Sequence, residues 1–185
     1  MFELLIIFLA VVIVIYSQLG AWSYAVLFFA LVLALPGMYA MWTVAPYVPT
    51  DKRKMDRIIQ IISKNKNVKI VDLGCGDGRV VRSAAKIGVK RAVGYEFSFL
   101  TYLFAKIWTF FAKDGGEIYF GDMWKQDYKE FDVLICFLLK DPMKRFENEV
   151  WPQLNLGTIV ISNAFKIPGI EPDSSDGGVH VYTKK

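Results

Sequence analysis

Charge is nearly absent from the first fifty positions, where Glu3 stands alone, and every other charged side chain falls between positions 51 and 185. One chain therefore faces two solvents. Residues 4–15 read LLIIFLAVVIVI, eleven Leu, Ile, Phe or Val residues with one Ala. At a membrane helix centre each of these apolar residues contributes about −0.3 to −0.6 kcal/mol. Residues 24–42 form a second apolar stretch of 19 residues, roughly 28 Å of helix at 1.5 Å per residue, close to the roughly 30 Å hydrocarbon core. The uncharged SQLGAWS between them suits a tight turn, so the pattern predicts a transmembrane helical hairpin over residues 1–45. A secretory signal would carry Lys or Arg ahead of its apolar run, and here Glu3 stands there with a second apolar stretch following. Lys52, Arg53, Lys54 and Arg57 crowd the exit from the second stretch, which keeps that end, and whatever follows it, on the cytoplasmic side.

Past position 50 the periodicity changes. Met55, Ile58, Ile59 and Ile62 recur at helical spacing with charges opposite, predicting an amphipathic helix over residues 51–63. Strand-like apolar runs follow at 69–73, 91–97, 117–121, 131–138, 158–162 and 179–183, with helical stretches at 79–87, 99–113 and 144–153 between the first five. Strands alternating with helices predict an α/β, Rossmann-like parallel sheet with helices on both faces. The short tail after the fifth run is expected to supply one clear strand, 179–183, at the sheet edge.

Composition narrows the function. Setting Glu3 aside leaves 22 basic against 17 acidic residues in the polar part, an excess that suits an anionic membrane surface. No motif that reads RNA or DNA accompanies it, so no nucleic-acid partner is expected. Two cysteines, Cys75 and Cys136, and the single His180 cannot close a four-ligand zinc site. No metal is expected, and both cysteines read as buried thiols.

The candidate chemistry begins at residues 71–79, VDLGCGDGR, a glycine-rich turn between the first strand and a helix. Gly74, Gly76 and Gly78 admit positive φ and close approach of a ligand, and the helix start offers free N–H groups. A dinucleotide fingerprint beginning at Gly74 would need a sixth-position glycine, where Arg79 stands. The D-x-G-x-G-x-G run from Asp72 to Gly78, with Cys75 and Asp77 in its variable slots, instead resembles the first motif of class I methyltransferases that use S-adenosyl-L-methionine (SAM). Glu96, 18 residues past Gly78 in VGYEF, stands where that fold places the acidic residue that binds the ribose hydroxyls, with Phe97 beside it. Asp122 and Met123 in FGDMW match the position that meets the adenine.

Four segments carry a finer resemblance: PYVPT at 46–50, VDLGCGDGRVV at 71–81, GDMWKQD at 121–127 and VISNAFKIPGIEPD at 160–173. Together they resemble a membrane-anchored methyltransferase branch that includes the mitochondrial lysine methyltransferases of the ATP synthase c-subunit and of the adenine nucleotide translocase, with prokaryotic relatives. The resemblance spans residues 46–185. It implies SAM as cofactor, Tyr47, Pro49 and Thr50 beside it, and a lysine of a membrane protein as acceptor; a lipid or quinone-like acceptor and a non-catalytic SAM-binding assembly role are the alternatives. The departures, LKDP at 139–142 and Ile170, fall on the acceptor side. For a lysine acceptor, an aromatic channel with a nearby carboxylate is expected from Phe137, Asn163, Phe165 and Asp141, although Asp141 before Pro142 also suits a helix cap.

Overall fold

The computed structural model describes residues 20, 22–32 and 51–185. The hairpin expected over residues 1–45 lies outside the described residues except for 20 and 22–32, of which 22–32 are helical (α1). Among the described residues no helix is long and apolar enough to cross a membrane. The remaining elements form one layered unit.

Helix α2 (Lys52–Ser63) starts where Asp51 accepts a hydrogen bond from the Arg53 N–H, and it buries Ile58 and Ile62 as its periodicity requires. Strand β1 (Lys69–Leu73) leads to α3 (Arg79–Lys86), β2 (Arg91–Glu96), α4 (Phe99–Ala112) and β3 (Glu117–Phe120). After a short turn come β4 (Val133–Cys136), α5 (Lys140–Arg145), β5 (Ile159–Asn163), β6 (Ser174–Asp176) and β7 (Val179–Thr183). The seven strands lie in the order β3-β2-β1-β4-β5-β7-β6. The first five are mutually parallel, while β7 runs antiparallel between β5 and β6.

Central strands in such a sheet are apolar on both faces. Ile70, Val133 and Ile135 face a core shared with Ile58 and Ile62 of α2, Val80, Val81 and Ala84 of α3 and Ala105 of α4. Their neighbours Val71, Leu73, Leu134 and Cys136 face a second core with Met143 of α5, Phe146 just past it, Tyr128, Phe131 and Tyr182. Helices α2, α3 and α4 thus line one face and α5 the other.

Two expectations need correction. The tail supplies two strands, and β7 lies inside the sheet with β6 at its edge. Strand β6 is the tripeptide Ser-Ser-Asp, exposed at all three positions, so it offers no apolar alternation to read; its pairing with β7 and the Arg57–Asp176 ion pair at 3.3 Å hold it. The helix expected at 144–153 begins earlier, at Lys140, and continues through a wide turn at Phe146–Val150 and a tight one at Trp151–Gln153. Pro142 falls in its first turn, where a missing N–H costs nothing.

Candidate active site

The glycine turn joins β1 to α3 at the carboxyl ends of the parallel strands, where open α/β sheets bind ligands. Gly74, Gly76 and Gly78 have φ of 71°, 56° and 74°, values that a side chain would strain. The turn is pinned by three backbone hydrogen bonds: Cys75 N–H to Tyr95 O at 3.0 Å, Gly78 N–H to Cys75 O at 2.9 Å and Arg82 N–H to Gly78 O at 2.9 Å. Gly94 of β2 makes room for it, since a Cβ there would stand 2.7 Å from the Cys75 Cβ and Sγ. An isolated glycine inside a strand is the sequence signal for such close approach.

Glu96 ends β2 and turns back over the loop. One carboxylate oxygen accepts the Gly76 N–H at 3.0 Å and the other the Ser98 N–H at 2.7 Å. Burial raises its carboxyl above the usual range, opposed by the N–H groups of Ser98, Gly76 and Phe97. Asp72, on β1 in register with Gly94, is buried more deeply. Desolvation, with the charges of Glu96 and Asp77 adding to it, pushes its carboxyl up to about 7. Asp77 behaves oppositely: burial works against its charge, but the Arg79 side chain and N–H hold its carboxyl below the ordinary value. Two buried carboxyls beside an open glycine turn suit a cationic, hydroxyl-bearing ligand.

Asp122 accepts the Trp124 N–H at 3.0 Å and so caps the short turn Met123–Lys125. Met123 is buried, and its Sδ is the nearest neighbour, at 3.9 Å, that a Cβ on Gly74 would meet. Phe97 stacks on Phe120 at 6.4 Å between ring centroids. The structure thus gathers Asp72, Gly74, Cys75, Gly76, Glu96 and Met123 around one turn. Tyr47, Pro49 and Thr50 lie outside the described residues.

On the acceptor side, Asn163 ends β5 at 2% exposure, and neither its amide nitrogen nor its oxygen has a hydrogen-bond partner among the described residues. An idle buried amide costs about 1–3 kcal/mol per group, which an incoming ligand would recover. Phe165 packs against the core beside α5, and Phe137 is half-buried at the end of β4. Asp141 is exposed in the first turn of α5, whose cap is Leu139. Nothing in the linear pattern singled out Lys54 for this place: its ammonium lies 6.0 Å from the Phe137 ring centroid. Within the basic run 52–57, Lys54 lies over Phe137 and Arg57 pairs with Asp176 of β6. His180 bridges the edge strands, its Nδ1 2.8 Å from Ser175 Oγ across β6 and β7. Cys75 and Cys136 are buried and free, and burial pushes the Cys136 thiol up to about 12.

The ANTKMT methyltransferase domain matches residues 72–174, more than half of the chain and inclusive of every motif above from Asp72 onward. The chain belongs to that family. A protein-lysine N-methyltransferase of Saccharolobus islandicus is 33% identical over 130 residues, covering 69% of this chain and 81% of that protein. The lysine N-methyltransferase of the ATP synthase c-subunit from Rattus norvegicus is 29% identical over 134 residues, covering 71% of this chain and 61% of the relative. The chain thus spans less than two thirds of that mammalian relative's length. Among solved structures, an RNA methyltransferase from Salinibacter ruber in complex with S-adenosyl-L-homocysteine superposes with a TM-score of 0.68 at 30% identity, over 74% of this chain and 94% of that one. The fold of this ANTKMT-family domain is therefore the Rossmann-like methyltransferase fold, with a mixed sheet.

Proposed function

We propose that the chain is a SAM-dependent protein-lysine N-methyltransferase acting on a membrane protein, with residues 1–45 as a helical hairpin anchor and residues 46–185 as a catalytic domain on the cytoplasmic side. The observation that carries the cofactor assignment is the turn of Gly74, Gly76 and Gly78 faced by two buried carboxyls, Asp72 and Glu96. When bound, SAM supplies a methyl group made electrophilic by its sulfonium. Glu96 would accept hydrogen bonds from the ribose hydroxyls, Asp72 would balance the cationic methionine end, and Asp122 and Met123 would border the adenine. Tyr47, Pro49 and Thr50 would complete the cofactor site, as the family resemblance implies.

The rest of the task is to present a neutral amine in line with that methyl. At pH 7 only about one lysine amine in 2,500 is neutral, so the acceptor must release a proton to solvent before it reaches the methyl group. Phe137 and Phe165 wall a low-dielectric passage that disfavours the ammonium. The unpaired Asn163 amide oxygen accepts an N–H of the amine and aims its lone pair. Asp141, exposed at the rim, attracts the incoming ammonium.

Support for lysine comes from the names of the Saccharolobus and rat relatives, and support for a membrane-embedded acceptor from the nine steps between Trp42 and Asp51, at most about 30 Å of chain. A lipid or quinone-like acceptor is the second reading. Membranes from a strain lacking the protein, incubated with the full chain and methyl-labelled SAM, test both: label in a membrane-protein lysine supports the proposal, and label confined to lipid or RNA refutes it.

A further inference from the structure

Helix α4 has the wrong outside for water. Its inward positions are Ala105 and Thr109, both small, and the outward face is Phe104, Ile107, Trp108 and Phe111, spaced i, i+3, i+4, i+7 and 61%, 43%, 61% and 71% exposed. Leu103 and Phe110, both exposed, widen the stripe. At the sheet edge, the exposed Tyr119 and Phe120 of β3 extend it. A surface helix of a water-facing domain carries its charges on this side, and an apolar patch of this size marks a contact with lipid or protein.

We infer that the α4–β3 face rests on the lipid bilayer as a second, in-plane contact of the catalytic domain. Three features favour lipid over a protein partner. The helix FLTYLFAKIWTFFA has no acidic residue and one cation, Lys106, whose ammonium bends back to Ile118 O at 3.0 Å and lies 5.7 Å from the Tyr119 ring. That is the posture of a lysine whose stem lies along apolar surface. The part of the chain that holds α4 carries five more basic than acidic residues, a sign that suits anionic headgroups. Finally, residues 1–50 bear one charge, and α4 shares a sheet face with α2, the first element after them. Phe, Trp and Tyr are also the side chains that settle at the membrane interface.

The inference rests on the proposed membrane anchor only for proximity, and the two are separable. Cys75 and Cys136 are buried, so full-length F104C and F111C variants accept a polarity-sensitive fluorophore at one site each. K144C, on α5 across the sheet, is the control. In vesicles of phosphatidylcholine and phosphatidylglycerol, brominated acyl chains are expected to quench the labels at 104 and 111 about twofold or more and to leave the label at 144 unchanged. Labels at 104 and 111 that stay unquenched overturn the inference, whether water, a second copy or the chain's own N-terminal segment covers them. Retention after carbonate washing reads the anchor separately. Retention with unquenched labels refutes the α4 contact alone, and loss on washing with quenched labels in the vesicle-bound fraction refutes the hairpin alone. The triple variant F104E/W108E/F111E, altered only at exposed positions, is expected to methylate embedded acceptor more slowly at unchanged SAM affinity; an unchanged rate counts against the contact.

Discussion

Asp72 offers a test of the site that needs no acceptor. Its carboxyl, ordinarily at 3.8, is pushed up to about 7 in the fold, mainly by desolvation, with the charges of Glu96 and Asp77 adding to it. Well below the ordinary value the group is protonated whether the chain is folded or not. As pH rises through that value towards 7 the unfolded chain gives up this proton and the folded chain keeps it, so stability falls; well above 7 the penalty is complete. The rise from 3.8 to about 7, at 1.36 kcal/mol per pH unit, amounts to about 4 kcal/mol, of which about 3 kcal/mol is lost between pH 5 and 8. Asp72→Asn removes the titration, so the gap in Tm between variant and wild type should move in the variant's favour over that interval. For a chain of this size about 2–4 °C corresponds to 1 kcal/mol, giving about 6–12 °C. The assay is thermal unfolding of the full chain in detergent, without SAM, at pH 5 and pH 8. A second arm adds SAM, whose cationic end favours the ionised carboxylate: the SAM-induced rise in Tm should grow with pH in wild type and stay flat in the variant. An identical Tm gap at the two pH values would refute the reasoning, because it would mean that Asp72 is ionised in both states throughout.

Glu96→Gln keeps the shape of the side chain and removes its charge, so SAM affinity measured by calorimetry should fall about 10- to 150-fold, the equivalent of 1.5–3 kcal/mol for bonds to a charged acceptor; a change under about threefold contradicts the ribose assignment. Gly94→Ala sets a Cβ 2.7 Å from Cys75 and 2.8 Å from Val81, and overpacking of this kind should cost about 1–3 kcal/mol, seen as a lower Tm. Asn163→Ala deletes an idle buried amide, so kcat should drop while SAM affinity holds and Tm stays level or rises; a falling Tm with unchanged kcat would make Asn163 a structural residue. A flexible insertion of about 20 Gly and Ser residues after Thr43 should slow methylation of embedded acceptor by dilution while SAM affinity persists, and an unchanged rate would remove the positioning role of the linker.

Period and composition by themselves determined much of this protein. The alternation of apolar runs located β1 to β5 and β7 within a few residues, because strands buried on both faces must be apolar throughout. Backbone chemistry likewise singled out the turn from Asp72 to Gly78, since few segments place three glycines where positive φ is required; Glu96 stands out only through the resemblance to class I methyltransferases. Tertiary structure decided the rest. Strand β6 is three exposed polar residues, a strand only because β7 offers a ladder across the two-residue turn Gly177-Gly178; its own side chains show no apolar alternation. Gly94 and Cys75, Lys54 and Phe137, and the unpaired amide of Asn163 acquire meaning from neighbours far away along the chain. The stretch at 99–113 reads in sequence as a helix without showing which of its sides meets the core. Only the packing shows that Ala105 and Thr109 face the sheet while Phe104, Trp108 and Phe111 face outward, because which side of a helix meets the core is set by the layer it joins and not by the helix alone.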